Sequence, residues 1–362
     1  MRNGDTMDLS VMFFGAEGSG AGGAADVYED VLALAEAADE LGYTAVWTPE
    51  RHFQDFGQAF PAPAVLGAAL ASRTRRLQIR AGSAVLPLKH PLRTVEEWSV
   101  LDNLSRGRVG LSVATGWHST DFVLAPGAYA ERRADALAQI GLIRRLWAGE
   151  AVEFPDGLGE PVAVRPRPAP YRAELPLWLT SSGSPRTWQA AGHARTGVLA
   201  AAPGHTREEL AERIALYRAA YAAAPPQLGA PERGTVTLML HAYVGEDLPT
   251  VRAKVRGPLK DYFKVYLRQT GSSKNGAGDG AAPPMSAADQ DTMAEFAFER
   301  YLAWGSLLGT PQRCLEMMAD LRALGCDEIA CLVDFGLDRA DVVKSMQRLA
   351  ELRDLLDGEE KR

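Results

Sequence analysis

Short apolar runs alternate with amphipathic stretches along most of the chain. Residues 9–14 form a mostly apolar run, and residues 26–41 then place apolar side chains at helical spacing. The same alternation recurs, and the predicted strands cover residues 9–14, 44–47, 77–86, 108–113, 177–180, 196–201, 235–244 and 328–333. Strands that are apolar on both faces are typical of parallel sheets covered by helices. Eight such strands alternating with helices favour an α/β fold of the (β/α)8 TIM-barrel type over an open sheet.

The alternation breaks between residues 249 and 305. Two helical stretches flank residues 269–288, whose Gly-, Ser-, Ala- and Pro-rich composition is typical of mobile segments. Loops that follow barrel strands carry function at one face of the barrel. We therefore predict a single domain over residues 1–362, with an insertion at about 249–305 that acts as a lid between the seventh and eighth strands.

Charge and hydropathy exclude several classes of partner. The formal net charge of −7 gives no basis for binding nucleic acid or an anionic membrane, because phosphate binding requires clustered Lys and Arg. No apolar run approaches the roughly 20 residues that span a bilayer, and the first residues lack the apolar core of a signal peptide. We therefore expect a cytoplasmic protein. Its cysteines, Cys314, Cys326 and Cys331, lack metal-ligand spacing and are predicted to be reduced, buried thiols, with no metal site.

Three ionisable side chains, Glu50, Arg51 and His52, follow the second strand directly. Parallel α/β folds collect ligands at the carboxyl ends of their strands, so these residues are candidate catalytic groups. The imidazole of His52 titrates near neutral pH and suits proton transfer. Arg51, paired with Glu50, would orient it or attract an anionic group. The alternative is a surface loop that carries an ion pair.

The loop after the fifth strand has the features of an anion site. Ser181, Ser182, Gly183 and Ser184 lead into a helix, with Ser184 suited to the N-cap and Pro185 to the first turn. Free backbone N–H groups, hydroxyls and the helix dipole together suit a phosphate. A plain helix cap is the alternative.

Two other strand ends supply further candidates. Thr115 and Gly116, after the fourth strand, would add donors to the same anion. Gly82 and Ser83 place small residues in the third strand, where either a flat ring or tight core packing would explain them. The remaining histidines give weaker signals.

Those weaker histidines include His205 and His241. His205 is expected in solvent at a helix end. His241 lies within the seventh strand and faces either the pocket or the core.

Four motifs then occur in order along the chain. They are W-T-P-E-R-H-F at 47–53, S-A-V-L-P-L-K-H-P at 83–91, G-R-V-G-L-S-V-A-T-G at 107–116 and S-S-G-S at 181–184. On these motifs the chain resembles the bacterial-luciferase-like flavin monooxygenases, most closely the subgroup associated with natural-product biosynthesis. The resemblance covers about residues 8–244 and 309–356.

The resemblance implies a TIM barrel that uses reduced FMN and O2. A partner flavin reductase would supply the reduced FMN, and the substrate would be a small biosynthetic intermediate, free or tethered to a carrier protein. Residues 181–184 would hold the FMN phosphate, together with Thr115. Gly82 and Ser83 match the place where family members carry a non-prolyl cis peptide beneath the flavin. Dimers are common among such proteins, so a homodimer is compatible with the resemblance.

Two departures from luciferase qualify this expectation. Luciferase reads Glu-His-His-Phe where this chain reads Glu50, Arg51, His52 and Phe53, so either Arg51 or His52 would take the catalytic role. The reactive cysteine of luciferase corresponds to Ala114, so aldehyde-driven light emission is not expected. The alternatives are a deazaflavin-dependent reductase or dehydrogenase with the same barrel and a non-catalytic flavin-binding protein.

Overall fold

The computed structural model describes residues 6–14, 24–53, 58–274 and 286–359. Its strands are β1 (Asp8–Met12), β2 (Ala45–Thr48), β3 (Gln78–Val85), β4 (Val109–Ala114), β5 (Val152–Pro155), β6 (Pro161–Val164), β7 (Leu177–Ser181), β8 (Gly197–Ala201), β9 (Val236–Val244), β10 (Leu307–Gly309) and β11 (Glu328–Leu332). Its α-helices are α1 (Ala24–Glu40), α2 (Pro63–Arg73), α3 (Pro91–Ser105), α4 (Arg132–Trp147), α5 (Pro185–His193), α6 (Arg207–Ala223), α7 (Leu248–Lys274), α8 (Ala287–Ala303), α9 (Pro311–Ala323) and α10 (Arg339–Glu359). Short 3₁₀ helices cover Leu86–Leu88, Ser119–Leu124 and Pro126–Ala128.

Eight parallel strands close into a barrel, in the order β9, β11, β1, β2, β3, β4, β7 and β8, and β8 pairs with β9 to complete the circle. The predicted (β/α)8 TIM barrel is therefore confirmed. The hairpin of β5 and β6 stands outside it as a separate two-stranded sheet.

The strands read as apolar runs because their side chains alternate between two buried layers. On β1, Val11 joins the core between the strands and the helices, whereas Met12 packs inside the barrel with Trp47 and Trp178. All nine residues of β9 are buried. Burial on both faces removes the polar alternation of a half-exposed strand.

A buried ion pair lies near the amino-terminal ends of β3 and β11. The Nη1 atom of Arg80 lies 2.7 Å from Oε2 of Glu328, and both side chains are almost fully buried. The guanidinium group also lies over the rings of Trp47 and Trp178, at 4.7 and 4.5 Å. Ser10 Oγ donates to Glu328 at 2.6 Å. The carboxylate is thus fully engaged, as a buried charge requires.

Helices α7 and α8 occupy the stretch between β9 and β10. They share an apolar core that includes Leu259 and Phe298, and ion pairs join their outer surfaces, such as Lys260 with Asp291 at 2.9 Å. Strand β10, which was not predicted, extends the sheet by pairing with the end of β9. Its length of three residues is too short for an alternation pattern.

The segment 269–288 differs in part from the prediction. Helix α7 continues to Lys274, so the first part of the segment is helical despite its composition. Residues 275–285 lie outside the described residues, and their mobility stays a prediction.

The cysteines have the state predicted from the sequence. Cys314, Cys326 and Cys331 are free, buried thiols, as predicted. Burial raises the pKa of Cys314 to about 12, so this thiol is unreactive near neutral pH. Within the described residues, none of the helices combines the length and the apolar character needed to cross a membrane.

Candidate active site

A cavity of about 510 Å³ opens at the carboxyl-terminal face of the barrel, and the ends of all eight barrel strands contribute to it. The candidate catalytic residues Glu50, Arg51 and His52 line it together. So do six of the candidate cofactor residues: Gly82, Ser83, Thr115, Gly116, Ser181 and Ser182. The other two candidates, Gly183 and Ser184, are absent from the described lining. Most of the candidate site residues, which follow or end the four strands β2, β3, β4 and β7, therefore line the same cavity.

Glu50 is the centre of a buried hydrogen-bond network. Its Oε2 atom accepts from the backbone N–H of Val85 at 2.9 Å, and its Oε1 atom lies 3.0 Å from Nζ of Lys89. The same Oε1 lies 3.1 Å from Nε2 of His52. The Glu50 amide donates to the carbonyl oxygen of Ser83 at 3.0 Å. Glu50 therefore fixes the loop after β2 against the end of β3, with no part of its side chain exposed.

His52 uses one of its two ring nitrogens in the contact with Glu50. A carboxylate only accepts hydrogen bonds, so the contact with Glu50 places a proton on Nε2 of His52. In the neutral ring, Nδ1 is then the nitrogen without a proton. The side chain is 11% exposed and lines the cavity, so a bound molecule can reach it.

Arg51 takes a different position from the one that the sequence suggested. Glu50 pairs with His52 and Lys89, whereas the Nε atom of Arg51 donates to the carbonyl oxygen of Phe14 at 3.2 Å. The guanidinium carbon lies 4.2 Å above the centre of the Phe14 ring. Stacking on an aromatic face holds the guanidinium group beside the cavity that it lines.

The loop between β7 and α5 presents serine hydroxyls and a helix N-terminus. The buried Ser181 Oγ accepts from the Gly183 N–H at 3.2 Å, so this hydroxyl shapes the loop. Ser182 faces the cavity. Ser184 is the N-cap and Pro185 the first residue of α5, as predicted, but the Ser184 side chain makes no capping hydrogen bond.

His205 belongs to the site, contrary to the expectation that it lies in solvent. It lines the cavity, and its Nδ1 atom is buried without a hydrogen-bond partner among the described residues. A Cβ atom on Gly183 would lie 3.2 Å from Nε2 of His205, and Gly183 has a φ of +119° that other residues rarely adopt. The sequence gives no signal for this, because the loops after β7 and β8 meet only in the folded barrel.

Gly82 and Ser83 agree with the second alternative raised by the sequence, tight packing in the core. Their peptide bond is cis, as the resemblance implied. A Cβ atom on Gly82 would lie 3.1 Å from Cε of Met12 and from Cβ of Trp47, so tight packing inside the barrel accounts for this glycine. The Ser83 hydroxyl is hydrogen-bonded to Thr180 on β7, and both residues line the cavity.

The loop after β4 adds two residues that the sequence did not identify as active groups. His118 is buried, and burial, reinforced by Arg51, lowers its pKa to about 4, so the imidazole is neutral. Burial raises the pKa of Asp121 to about 6, although the charges of His52 and Arg51 oppose this rise, and Glu50 adds to it. Both side chains line the cavity. Their position after a barrel strand was the one signal available for them.

Strand β9, the seventh strand of the barrel in chain order, contributes His241, which faces the pocket. Its ring lines the cavity beside Tyr262 of α7 and Tyr301 of α8. Burial lowers the pKa of His241 to about 3, so it is uncharged. The insertion therefore supplies part of the wall of the cavity.

Among the described residues, no three His, Cys, Asp or Glu side chains are grouped as a metal site requires.

The family comparison is consistent with this geometry. The family model described as luciferase-like monooxygenase matches residues 7–328. The oxygenase component of the flavin-dependent trigonelline monooxygenase of Acinetobacter baylyi is 25% identical over 334 residues, which cover 89% of this chain and 88% of the relative. The 4-hydroxyprotoasukamycin monooxygenase of Streptomyces nodosus subsp. asukaensis is 31% identical over 186 residues, half of each chain.

Two solved structures have the same fold. The monooxygenase RslO1 from Streptomyces bottropensis superposes with a TM-score of 0.75 at 26% identity, covering 95% of this chain and 98% of that one. The oxygenating constituent of 3,6-diketocamphane monooxygenase from Pseudomonas putida, a Baeyer–Villiger monooxygenase in complex with FMN, has a TM-score of 0.72 at 17% identity and covers 96% and 97%. At 17% identity, the similarity to the second structure is evidence for the fold alone.

Proposed function

The chain belongs to the luciferase-like monooxygenase family, and from this premise we propose that it takes reduced FMN from a partner reductase and oxygenates a natural-product intermediate. Family membership confirms the predicted enzyme class, a flavin-dependent monooxygenase that uses O2. The intermediate is a small molecule, either free or tethered to a carrier protein. The observation that carries the proposal is one cavity that is lined both by Ser181 and Ser182, where β7 leads into α5, and by Glu50 and His52.

The phosphate of FMN fits the loop between β7 and α5. The first N–H groups of a helix have no partner within the helix, and they attract anions together with the helix dipole. Ser182 and Thr115 supply hydroxyls from the cavity wall, and His205 adds a ring with a buried Nδ1. Ser184 would contribute its backbone N–H group, whereas Gly183, whose N–H donates to Ser181 Oγ, would let the phosphate approach the backbone closely.

Bound reduced FMN would supply the electrons that activate O2. Next to Gly82 and Ser83, a flat ring would meet the end of β3, within reach of the loop after β2. His52 would then deliver or accept a proton at Nδ1, because Glu50 holds Nε2. Arg51 would attract negative charge that develops beside it, since its positive side chain lines the same cavity.

Water must be kept from such a reaction, and the cavity has groups that can do so. Phe14, Val85, Met239 and Leu332 give it an apolar floor and walls. Tyr262 and Tyr301 extend from α7 and α8, so we propose that the insertion acts as a lid over the bound molecules.

A partner reductase follows from the type of relative that the chain matches. The trigonelline enzyme is named an oxygenase component, which indicates a separate component in that system. We propose the same division of labour for this chain.

The test supplies reduced FMN with a flavin reductase and NADH under isotopically labelled O2, with aromatic candidate substrates and their carrier-tethered forms. A product that carries one labelled oxygen atom supports the proposal. Labelled oxygen that ends only in hydrogen peroxide or water, with every substrate class, contradicts it.

A further inference from the structure

His241 is a buried polar residue whose hydrogen-bonding groups are unused. Its side chain is 2% exposed and lies on β9, where the ring lines the cavity. Neither ring nitrogen has a hydrogen-bond partner among the described residues. A neutral imidazole offers one N–H donor and one acceptor nitrogen. Because buried polar groups are normally hydrogen-bonded, a histidine left this way beside a cavity points to a ligand.

Aromatic rings surround this imidazole on several sides. The ring centres of Tyr262, Phe335, Tyr301 and Phe263 lie 4.7, 5.2, 5.6 and 6.3 Å from that of His241. Tyr262 and Tyr301 also line the cavity. We call the part of the cavity lined by His241, Tyr262 and Tyr301 the β9 compartment. Its walls suit a flat, apolar molecule that offers few polar groups.

The β9 compartment lies across the barrel from the proposed flavin position. In the closed barrel, β9 is separated from β3 by β11, β1 and β2 on one side and by β8, β7 and β4 on the other. The two strands are therefore diametrically opposed. A flavin ring beside Gly82 and Ser83 on β3 leaves the β9 wall to face a second molecule.

We propose that the β9 compartment binds the substrate, and that this substrate carries a planar aromatic ring with a neutral hydroxyl or carbonyl group hydrogen-bonded to His241. A hydroxyl group can donate to one ring nitrogen or accept from the other, so either tautomer of His241 satisfies it. A carboxylate is disfavoured, because an uncharged imidazole gives it no opposite charge in a buried site. The position of the substrate relative to the flavin rests on the proposed function, but the recognition by His241 is testable without it.

The test compares two ligands that differ by one hydroxyl group, 1-naphthol and naphthalene. Calorimetric titrations are made with wild-type protein, with and without saturating FMN. Wild type should bind 1-naphthol about tenfold more tightly, the effect of one neutral hydrogen bond of about 1.4 kcal/mol. His241→Phe should remove this preference and leave the affinity for naphthalene unchanged. His241→Gln, which can still donate and accept, should retain part of it.

Several outcomes would overturn the inference. They are equal affinity of wild type for the two compounds, a preference that survives in His241→Phe, and no binding of either compound with or without FMN. Reduced FMN should bind all three proteins equally, because the substitution lies across the barrel from its proposed site. If wild type prefers 1-naphthol but does not bind reduced FMN, the proposed function fails and the assignment of His241 stands.

Discussion

The Nε2 atom of His52 lies 3.1 Å from the Oε1 atom of Glu50, on a carboxylate that is completely buried. The same oxygen lies 3.0 Å from Nζ of Lys89. Glu50 therefore does not serve as a free base. It is a fixed acceptor that orients the imidazole, so the proposed roles of Glu50 and His52 can be separated by mutation.

His52→Ala should lower the rate of oxygenation by about 10²-fold or more, the usual effect of a lost acid–base group, while reduced FMN binds nearly as in wild type. Product formation and an anaerobic FMN titration measure the two effects. His193→Ala, at an exposed histidine on α5, is the matched control and should behave as wild type. Equal loss of FMN binding and of oxygenation in His52→Ala would rule out the chemical role.

Glu50→Gln should also lower the rate, but for a positional reason. A neutral amide cannot hold both the Lys89 ammonium and the His52 ring as a carboxylate does, so the imidazole loses its fixed orientation. We expect a fall in kcat while reduced FMN binds nearly as in wild type, because Glu50 acts on the orientation of the ring. An unchanged kcat would show that Glu50 has no influence on His52.

Ser182→Ala should weaken binding of reduced FMN by about tenfold or more, because it would remove a hydrogen bond from the hydroxyl to the phosphate at its proposed position. Riboflavin, which has no phosphate, should bind equally to wild type and variant. Ser184→Ala is the internal control, since the Ser184 side chain is outside the cavity lining. A larger effect at Ser184 than at Ser182 would contradict the placement of the phosphate.

Asp121→Asn should change how stability depends on pH. The pKa of Asp121 is raised by burial to about 6, so its ionised form is disfavoured in the folded state. Its contribution to folding is therefore most favourable below about pH 4 and is lost as the pH rises through 6. Relative to Asp121→Asn, wild type should lose about 1–3 kcal/mol of unfolding free energy between pH 4 and 7. Urea unfolding across that range measures this loss. If the unfolding free energies of the two proteins change with pH in parallel, the pKa of Asp121 is not raised in the folded state.

Arg80→Met should destabilise the fold by about 3–5 kcal/mol, because it leaves the Glu328 carboxylate buried without its partner. Adding Glu328→Leu should restore much of the loss by removing the unpaired charge. Arg93→Ala, which breaks an exposed pair with Glu97, should cost less than about 1 kcal/mol. If urea unfolding shows similar losses of unfolding free energy for Arg80→Met and Arg93→Ala, the buried pair contributes no more to stability than the exposed one.

The barrel could be predicted from the sequence because each buried strand leaves a local pattern. Strand β9, for example, is an apolar run in the sequence and is buried throughout in the structure. The Arg80–Glu328 pair leaves no such pattern, since its members are 248 positions apart. Strand β10 was missed because three residues cannot show a period.

In the candidate site, too, the sequence located residues that lie close to a strand end and did not locate those that only the fold brings in. The motifs located Glu50, His52 and Ser182 because each follows a strand within a few residues. They gave no role to Lys89 or His205 and left His241 open between the pocket and the core. Lys89 meets the site through its ion pair with Glu50, and His205 and His241 line the cavity, because parts of the chain that are distant in the sequence come together around the barrel mouth.

The central claim is that this cavity binds reduced FMN through the α5 N-terminus and lets it react with O2. An anaerobic titration of the protein with reduced FMN, and separately with a reduced deazaflavin, followed by admission of O2, tests it most directly. We predict one bound FMN per chain, loss of binding in Ser182→Asp, and consumption of one O2 per bound flavin. Failure to bind reduced FMN, or binding of the deazaflavin in its place, would contradict the claim.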